Sequence, residues 1–179
     1  MPGEDYIPIE IREFKRLKNL ADGAIVQLSP DGWFSAPGDG DNSVAVIIKH
    51  VSGNMRSRWK DFLSSDGEKA DRNRDAEFVI FPEDSREDLL KRWEEAWAIL
   101  FAALEPLDQP DLRRTVTIRG ESLTVLQAMN RQLTHYAYHV GQIVYVAKHL
   151  AGRDWKSLSI SLGASWQFNQ NPTKYIEKA

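Results

Sequence analysis

A long amphipathic segment, from about Leu123 to Leu150, constrains this chain more than any other part of its sequence. Apolar residues recur in it at intervals of three and four, which is the period of a helix with one buried face. His135 and His139 lie inside this segment. Residues four apart on a helix project from the same face, one turn above each other. The segment therefore predicts a long helix that places two imidazoles side by side.

The spacing of His135 and His139 is typical of the helical half of a divalent metal site. Tyr136 occupies the position where a zinc-protease helix carries its glutamate, which disfavours that class of enzyme. Two unrelated histidines at the edge of the core would produce the same pattern. The pair alone leaves both interpretations open, and a third ligand elsewhere in the chain would decide between them.

Three more amphipathic segments precede this one. Their predicted bounds are about Ile9–Leu28, Ser43–Leu63 and Ser85 to the residue before Pro106. Four long helices with little strand predict an all-α fold, a four-helix bundle in a single domain that spans residues 1–179. His50, on the second helix, falls on one flank of the apolar stripe, where a histidine can face a cleft between packed helices.

Extended segments connect these helices, and an irregular tail follows them. Thr115–Arg119 alternates β-branched residues and predicts a short strand or extended connection before the last long helix. Phe78–Phe81 is apolar and is ended by Pro82, which predicts a buried extended segment. Gly152 ends the last helical period. We expect an irregular C-terminal tail beyond it that packs on the helices through Trp155, Leu158, Trp166 and Phe168.

The segment Ser64–Glu77 carries closely alternating charges. Such a run usually forms a solvated loop. It could also be an ordered loop in which Arg72 and Arg74 pair with carboxylates such as Asp71 and Asp75. A third interpretation is that one of these arginines grips an anionic group of a substrate. The pattern favours the three interpretations in this order.

Composition narrows the classes of function. The 179 residues are 42% hydrophobic and 27% charged, as in globular proteins, and the net charge of -3 gives no basic footprint for nucleic acid or an acidic membrane. Cysteine is absent, so a metal site would use histidine, carboxylate or water. The N-terminus lacks the apolar run of a signal peptide, and the longest apolar run, Ala96 to Leu104, is about half a membrane span. We expect a soluble, cytoplasmic protein without a nucleic-acid or membrane partner.

Three stretches together resemble one uncharacterised branch of the DinB-like (YfiT-like) metalloprotein superfamily. They are Lys49–Met55, Gly67–Phe78 and His135–Ile143, and the likeness covers nearly the whole chain. It implies a bundle of up-down-down-up topology, frequently a homodimer, that binds zinc, nickel or a similar divalent ion through His50, His135 and His139. Ser161 stands where this branch is expected to have proline, which leaves the conformation of the tail open.

The resemblance also implies a small-molecule substrate, since the superfamily includes transferases and isomerases that use small cytosolic thiols, and metal-dependent hydrolases. Three imidazoles leave coordination positions open, as in catalytic sites. Asn54, Tyr138 and Gln142 lie near the ligands along the helices, and none is a general base, which favours a thiol transferase over a hydrolase. Their alternative role is packing or hydrogen bonding to a ligand histidine. A non-catalytic metal-binding or interaction module is the remaining hypothesis. The role of His149 is sufficiently explained as a cation near a helix end.

Overall fold

The computed structural model describes residues 6–172 and is mostly helical. Four long helices dominate this part of the chain: α1 (Tyr6–Ile25), α2 (Val44–Trp59), α3 (Arg86–Leu104) and α4 (Val125–Ala151). Two short strands, β1 (Thr115–Ile118) and β2 (Glu121–Thr124), precede α4, and the short helix α5 (Ser165–Gln170) follows it. Each of the four segments predicted to be helical overlaps one of the long helices, although α1 begins before Ile9 and α2 ends before Leu63. Within residues 6–172, no helix combines the length and apolar character needed to cross a membrane.

Side-chain caps set where the later helices begin. Ser43 begins α2 and Ser85 begins α3, each by accepting a hydrogen bond from a backbone N–H three residues further on. Thr124 and Gln127 form a capping box at the start of α4. The first N–H groups of a helix have no partner within the helix, so these side chains satisfy them and fix the starting residue.

The long helices share one hydrophobic core. Helix α2 packs against α3 and α4, and α1 packs against α4. Trp59, Trp93 and Trp97 are enclosed in this core together with Tyr136 of α4. Large aromatic rings contribute the most apolar area to burial, and this area is the main favourable contribution to folding. The contact between α2 and α4 brings the helix that carries His50 beside the helix that carries the histidine pair.

The connection before α4 is a β-hairpin. Its first strand, β1, confirms the short strand or extended connection predicted at Thr115–Arg119, whereas its second strand, β2, was not predicted. Strands β1 and β2 pair antiparallel, with Ile118 opposite Glu121. Arg119 and Gly120 form the turn, and both have positive φ, as the tightest hairpin turns require. The second strand carries polar residues without a clear alternation, so its pairing depends on the turn rather than on its own pattern.

Two other predictions, on the burial of Phe78–Phe81 and on the C-terminal tail, are wrong in part. Phe78–Phe81 was expected to be buried, but its residues are between 36% and 47% exposed. The tail contains the short helix α5 instead of being irregular throughout, and Trp166 within it is 71% exposed. Trp155 and Leu158 do pack on the core as predicted. An apolar side chain is buried only where another element supplies a surface, and a short apolar run does not reveal whether that surface exists.

Candidate metal centre

The structure brings His50 of α2 together with His135 and His139 of α4. Their candidate ligand nitrogens all lie within 4.8 Å of one another. The ring centroid of His50 is 5.6 Å from that of His135 and 4.9 Å from that of His139, and the two α4 rings are 4.7 Å apart. Among residues 6–172, no carboxylate belongs to this group. The exposed His149 lies outside it as well.

Hydrogen bonds at Nδ1 orient two of the three imidazole rings, those of His50 and His139. His50 Nδ1 lies 2.8 Å from Glu77 Oε2, and His139 Nδ1 lies 2.8 Å from Gln142 Oε1. Ionised carboxylate and amide oxygens only accept hydrogen bonds, so each Nδ1 carries a proton and donates it. In the neutral tautomer with this proton on Nδ1, the lone pair is on Nε2, and this is the form of histidine that binds a metal through Nε2.

Two ring nitrogens of the cluster are buried without a hydrogen-bond partner among the described residues. They are His135 Nδ1 and His139 Nε2. A buried polar atom left unpaired costs about 1–3 kcal/mol, and such atoms are rare in folded proteins. Coordination of an ion by these nitrogens would remove that cost. The donor set and its unpaired nitrogens therefore fit a divalent metal.

Both histidines of α4 are neutral near pH 7. Burial, together with the neighbouring imidazoles of His139 and His50, lowers the pKa of His135 to about 3. Burial also lowers the pKa of His139 to about 4, although its hydrogen bond to Gln142 acts in the opposite direction. Only a neutral imidazole binds a metal. Protons therefore compete little with an ion for these two rings at neutral pH.

Glu77 is a residue of the site that the sequence did not single out. It lies in the short 3-10 helix Asp75–Phe78 and is buried. Its carboxylate accepts a hydrogen bond from His50 and two more from Arg72, at 2.8 and 2.9 Å. Burial by itself would raise the pKa of Glu77, but these hydrogen bonds outweigh it and hold the pKa below the ordinary value. The ionised carboxylate orients His50 in the way that carboxylates orient metal-binding histidines in other proteins.

The charged run after α2 is an ordered loop, so its interpretation as a solvated segment is wrong. The side chain of Arg72 is only 3% exposed and pairs with both Glu77 and Glu68. Glu68 also accepts hydrogen bonds at 3.0 Å from Arg58 of α2 and from Arg119 of the hairpin turn. The loop thus connects α2 to the hairpin that precedes α4, and it holds the Glu77 carboxylate in place.

The pairing within this loop differs from the predicted one. Asp71 and Asp75 were expected to pair with the loop arginines. Asp71 instead forms an exposed ion pair with Arg56, at 2.9 Å. The acidic partners of Arg72 are glutamates, whose longer side chains reach it from the two ends of the loop.

Aromatic side chains form an exposed rim around the histidine cluster. The ring of Phe78 lies 4.8 Å from the ring of His50, and the ring of Tyr138 lies 5.3 and 4.2 Å from the two α4 histidines. Arg74 Cζ lies 5.0 Å from the centroid of the Phe78 ring. Burial raises the pKa of Tyr138, and the positive charge of Arg74 opposes this rise. Two aromatic rings and one cation therefore lie beside the cluster.

Comparison with known proteins relates the chain to one family. The family described as "Protein of unknown function (DUF1572)" matches residues 2–164. The chain belongs to this family. No curated protein and no solved structure gave a significant match. The description of the DUF1572 family assigns no activity, so an argument about function depends on the chemistry of the cluster.

A buried hydrogen-bond chain joins α2 to α4 next to the cluster of this DUF1572 protein. Trp59 Nε1 donates to the Tyr136 hydroxyl at 3.0 Å, and that hydroxyl donates to Asn54 Oδ1 at 3.1 Å. Asn54 therefore bonds to Tyr136 rather than to a histidine of the cluster. Among Asn54, Tyr138 and Gln142, Gln142 is the one that hydrogen-bonds to a histidine of the cluster, His139. A buried and fully paired chain of this kind fixes how the two helices pack.

The absence of a side chain at Gly53 lets Glu77 approach α2. A Cβ atom added at Gly53 would overlap Glu77 Oε1 and lie 2.8 Å from Glu77 Cδ. Real Cβ atoms essentially never make so close a contact. Gly53 is therefore required by the close approach of the carboxylate that orients His50.

We predict that Gly53→Ala weakens metal binding by about 10- to 100-fold, the usual effect of losing a residue that orients a metal-binding histidine. The added methyl group pushes Glu77 away from His50 without removing any charge. A competition titration of zinc against a chromophoric chelator measures the change.

Gly141→Ala in α4 is the matched control, because a Cβ there meets nothing within 4 Å. We expect the control to keep wild-type affinity and to gain up to about 1 kcal/mol of stability. Wild-type affinity in Gly53→Ala would show that the Glu77 contact does not assist the site.

Proposed function

We propose that this DUF1572 protein binds one divalent ion, zinc or nickel, through His50, His135 and His139, and that it is a transferase with a small thiol cosubstrate. The observation that carries the proposal is the cluster itself, in which one candidate ligand nitrogen of each histidine lies within 4.8 Å of the others. Two ring nitrogens of the cluster are also buried and have no hydrogen-bond partner among residues 6–172. The resemblance to the DinB-like superfamily supports the same ion. It also supports a four-helix bundle of up-down-down-up topology.

The donor set agrees with these metals. Imidazole nitrogen suits zinc and nickel, whereas magnesium and calcium prefer oxygen ligands. Structural zinc sites usually have four protein ligands, and three protein ligands are typical of sites that exchange a fourth. When bound, the ion would act as a Lewis acid that favours the deprotonated form of a thiol or of water.

The protein side chains favour a thiol over water. Both carboxylate oxygens of Glu77 are engaged by His50 and Arg72, so Glu77 is not free to accept a proton from a substrate. No carboxylate of residues 6–172 joins the cluster itself. A thiol has an ordinary pKa of about 8.5 and water one of about 15.7, so the thiol loses its proton with far less help from a protein base. A hydrolase is therefore the less favoured reaction.

A non-catalytic role is the second candidate, and it is favoured because the three histidines come from two different helices. His50 comes from α2 and the other two histidines from α4, so a bound ion would hold the two helices together. The buried state of His50 and His139 also suits an ion that mainly stabilises the fold. This role differs from the enzymatic one because it needs no exchangeable ligand.

We expect a small thiol to bind at the metal. Cobalt-substituted protein titrated with 2-mercaptoethanol should develop the intense near-ultraviolet band of a cobalt–thiolate bond, since a coordinated thiol is deprotonated. In the presence of zinc-loaded protein, the same thiol and an alkylating electrophile should then form the thioether faster than they do without protein. His139→Ala is the control and should show neither effect.

The same measurements separate the two candidates. An ion that binds, raises the melting temperature and gives no spectral response to thiol would support the non-catalytic role. Such a result would overturn the proposed transferase.

A further inference from the structure

Arg74 differs from Arg72 and Arg56 because it has no anionic partner in the part of the chain that the structure describes. Arg72 is engaged by two glutamates, and Arg56 pairs with Asp71. The guanidinium of Arg74 forms no ion pair with any carboxylate of residues 6–172, although it is exposed. The guanidinium lies over the Phe78 ring, with Cζ 5.0 Å from the ring centroid, which is within the range of a cation–π interaction.

This contact places the cation beside the histidine cluster. Phe78 packs against both partners, since its ring lies 4.8 Å from the ring of His50 and 5.0 Å from Arg74 Cζ. Because the two distances can at most add, Arg74 Cζ is within about 10 Å of the His50 ring centroid. Arg74 precedes the 3-10 helix Asp75–Phe78, so one short turn connects the cation to the ring that supports it.

The rim has the chemical character of a binding surface for a small anion with an apolar body. Phe78 and Tyr138 expose 36% and 54% of their area next to the cluster. Exposed rings of this size can cover the carbon chain of a ligand. Three neutral imidazoles would leave the charge of a divalent ion uncompensated, and Arg74 adds a further positive charge on the same side as Phe78. Arginine presents paired N–H groups that match the two oxygens of a carboxylate.

We propose that Arg74 binds the carboxylate of a small substrate whose other end coordinates the ion at the histidine cluster. Phe78 and Tyr138 pack against the chain between the two ends. This inference rests on the proposed thiol-dependent function and names the class of thiol, one that carries a carboxylate within a few bonds of its sulfur. Arg74 is thus a specificity-determining residue, and the loop that contains it has both an ordering role and a binding role.

The test compares two thiols that differ only in charge. Cobalt-substituted protein is titrated with 3-mercaptopropionate and with 3-mercaptopropionamide, and the two dissociation constants are read from the cobalt spectrum. The quantity of interest is the ratio of these constants, which Arg74→Gln should shift by about tenfold against the carboxylate, as loss of a charge-assisted hydrogen bond predicts. Affinity for the amide and the cobalt content should stay unchanged. Arg56→Gln is the matched control. It removes another exposed arginine, which lies on the same helix as His50, and it should change the ratio less than twofold.

The outcomes distinguish this inference from the function on which it rests. If Arg74→Gln leaves the ratio as in wild type, or if Arg56→Gln shifts it equally, the assignment to Arg74 is wrong while thiol coordination stands. If cobalt binds but neither thiol changes its spectrum, the proposed function fails and the inference fails with it. A tenfold shift confined to Arg74→Gln supports both.

Discussion

Replacing His139 by alanine should reduce the bound metal from about one ion per chain, the content of a mononuclear site, to a small fraction of that. His50→Ala and His135→Ala should do the same, because each removes one of the three proposed ligands. The loss of affinity should exceed the about 10- to 100-fold effect of a residue that merely orients a ligand. Metal content is measured by mass spectrometry after dialysis of zinc-loaded and nickel-loaded protein against metal-free buffer.

His149→Ala is the control for this experiment. His149 is also on α4, but it is exposed and lies outside the cluster, so its removal should leave one ion bound. Thermal unfolding adds a second measurement. An ion that binds only the folded state stabilises it, so adding metal should raise the melting temperature of wild type and His149→Ala and leave the three cluster variants unchanged. Full metal content in any cluster variant would remove that histidine from the ligand set.

Replacing Arg72 by methionine should lower the free energy of unfolding by about 3–5 kcal/mol, because it leaves ionised carboxylates with too few partners in a buried place. The Arg72 side chain is 3% exposed and that of Glu77 is 9% exposed, so water cannot replace the lost hydrogen bonds. For a protein of this size the change corresponds to a fall in melting temperature of roughly 6–20 °C. Urea and thermal unfolding of the metal-free protein, followed by circular dichroism, measure both quantities.

Arg74→Met is the matched control, since Arg74 is in the same loop and is exposed. Its effect on stability should stay within about 0.5 kcal/mol. Adding Glu77→Gln to Arg72→Met should recover part of the lost stability, because it removes the buried charge that Arg72 had compensated. Equal stability of Arg72→Met and wild type would mean that the loop behaves in solution as the solvated run that its composition suggests.

Much of the helical framework was predictable because it depends on local periodicity. The stripes of α1 to α4 each repeat over several turns, and the caps at Ser85 and Thr124 are signals confined to a few residues. The second strand was missed because four residues, three of them polar, carry no distinctive pattern. The exposure of Phe78–Phe81 could not be read from the sequence, because no local pattern reveals that Phe78 packs against His50 while the segment stays partly open to solvent.

The candidate site was predictable only in part. The spacing of His135 and His139 indicated a shared face, and the family resemblance added His50. Glu77 carries no sequence signal that separates it from the other acidic residues of its loop. Gly53 offered only the general hint that a glycine inside a helix often marks a close approach.

The sequence by itself determined the helices and the pairing of two histidines on one helix face, because both follow from the 3.6-residue period of a single segment. The tertiary structure decided that His50 meets that pair and that Arg72 pairs with Glu68 and Glu77 instead of Asp71 and Asp75. It also decided that Arg74 lies against Phe78 and forms no ion pair within residues 6–172. These features join α2, the loop after it and α4. Their distances depend on how separate elements pack, and no local pattern in the sequence encodes a distance between elements.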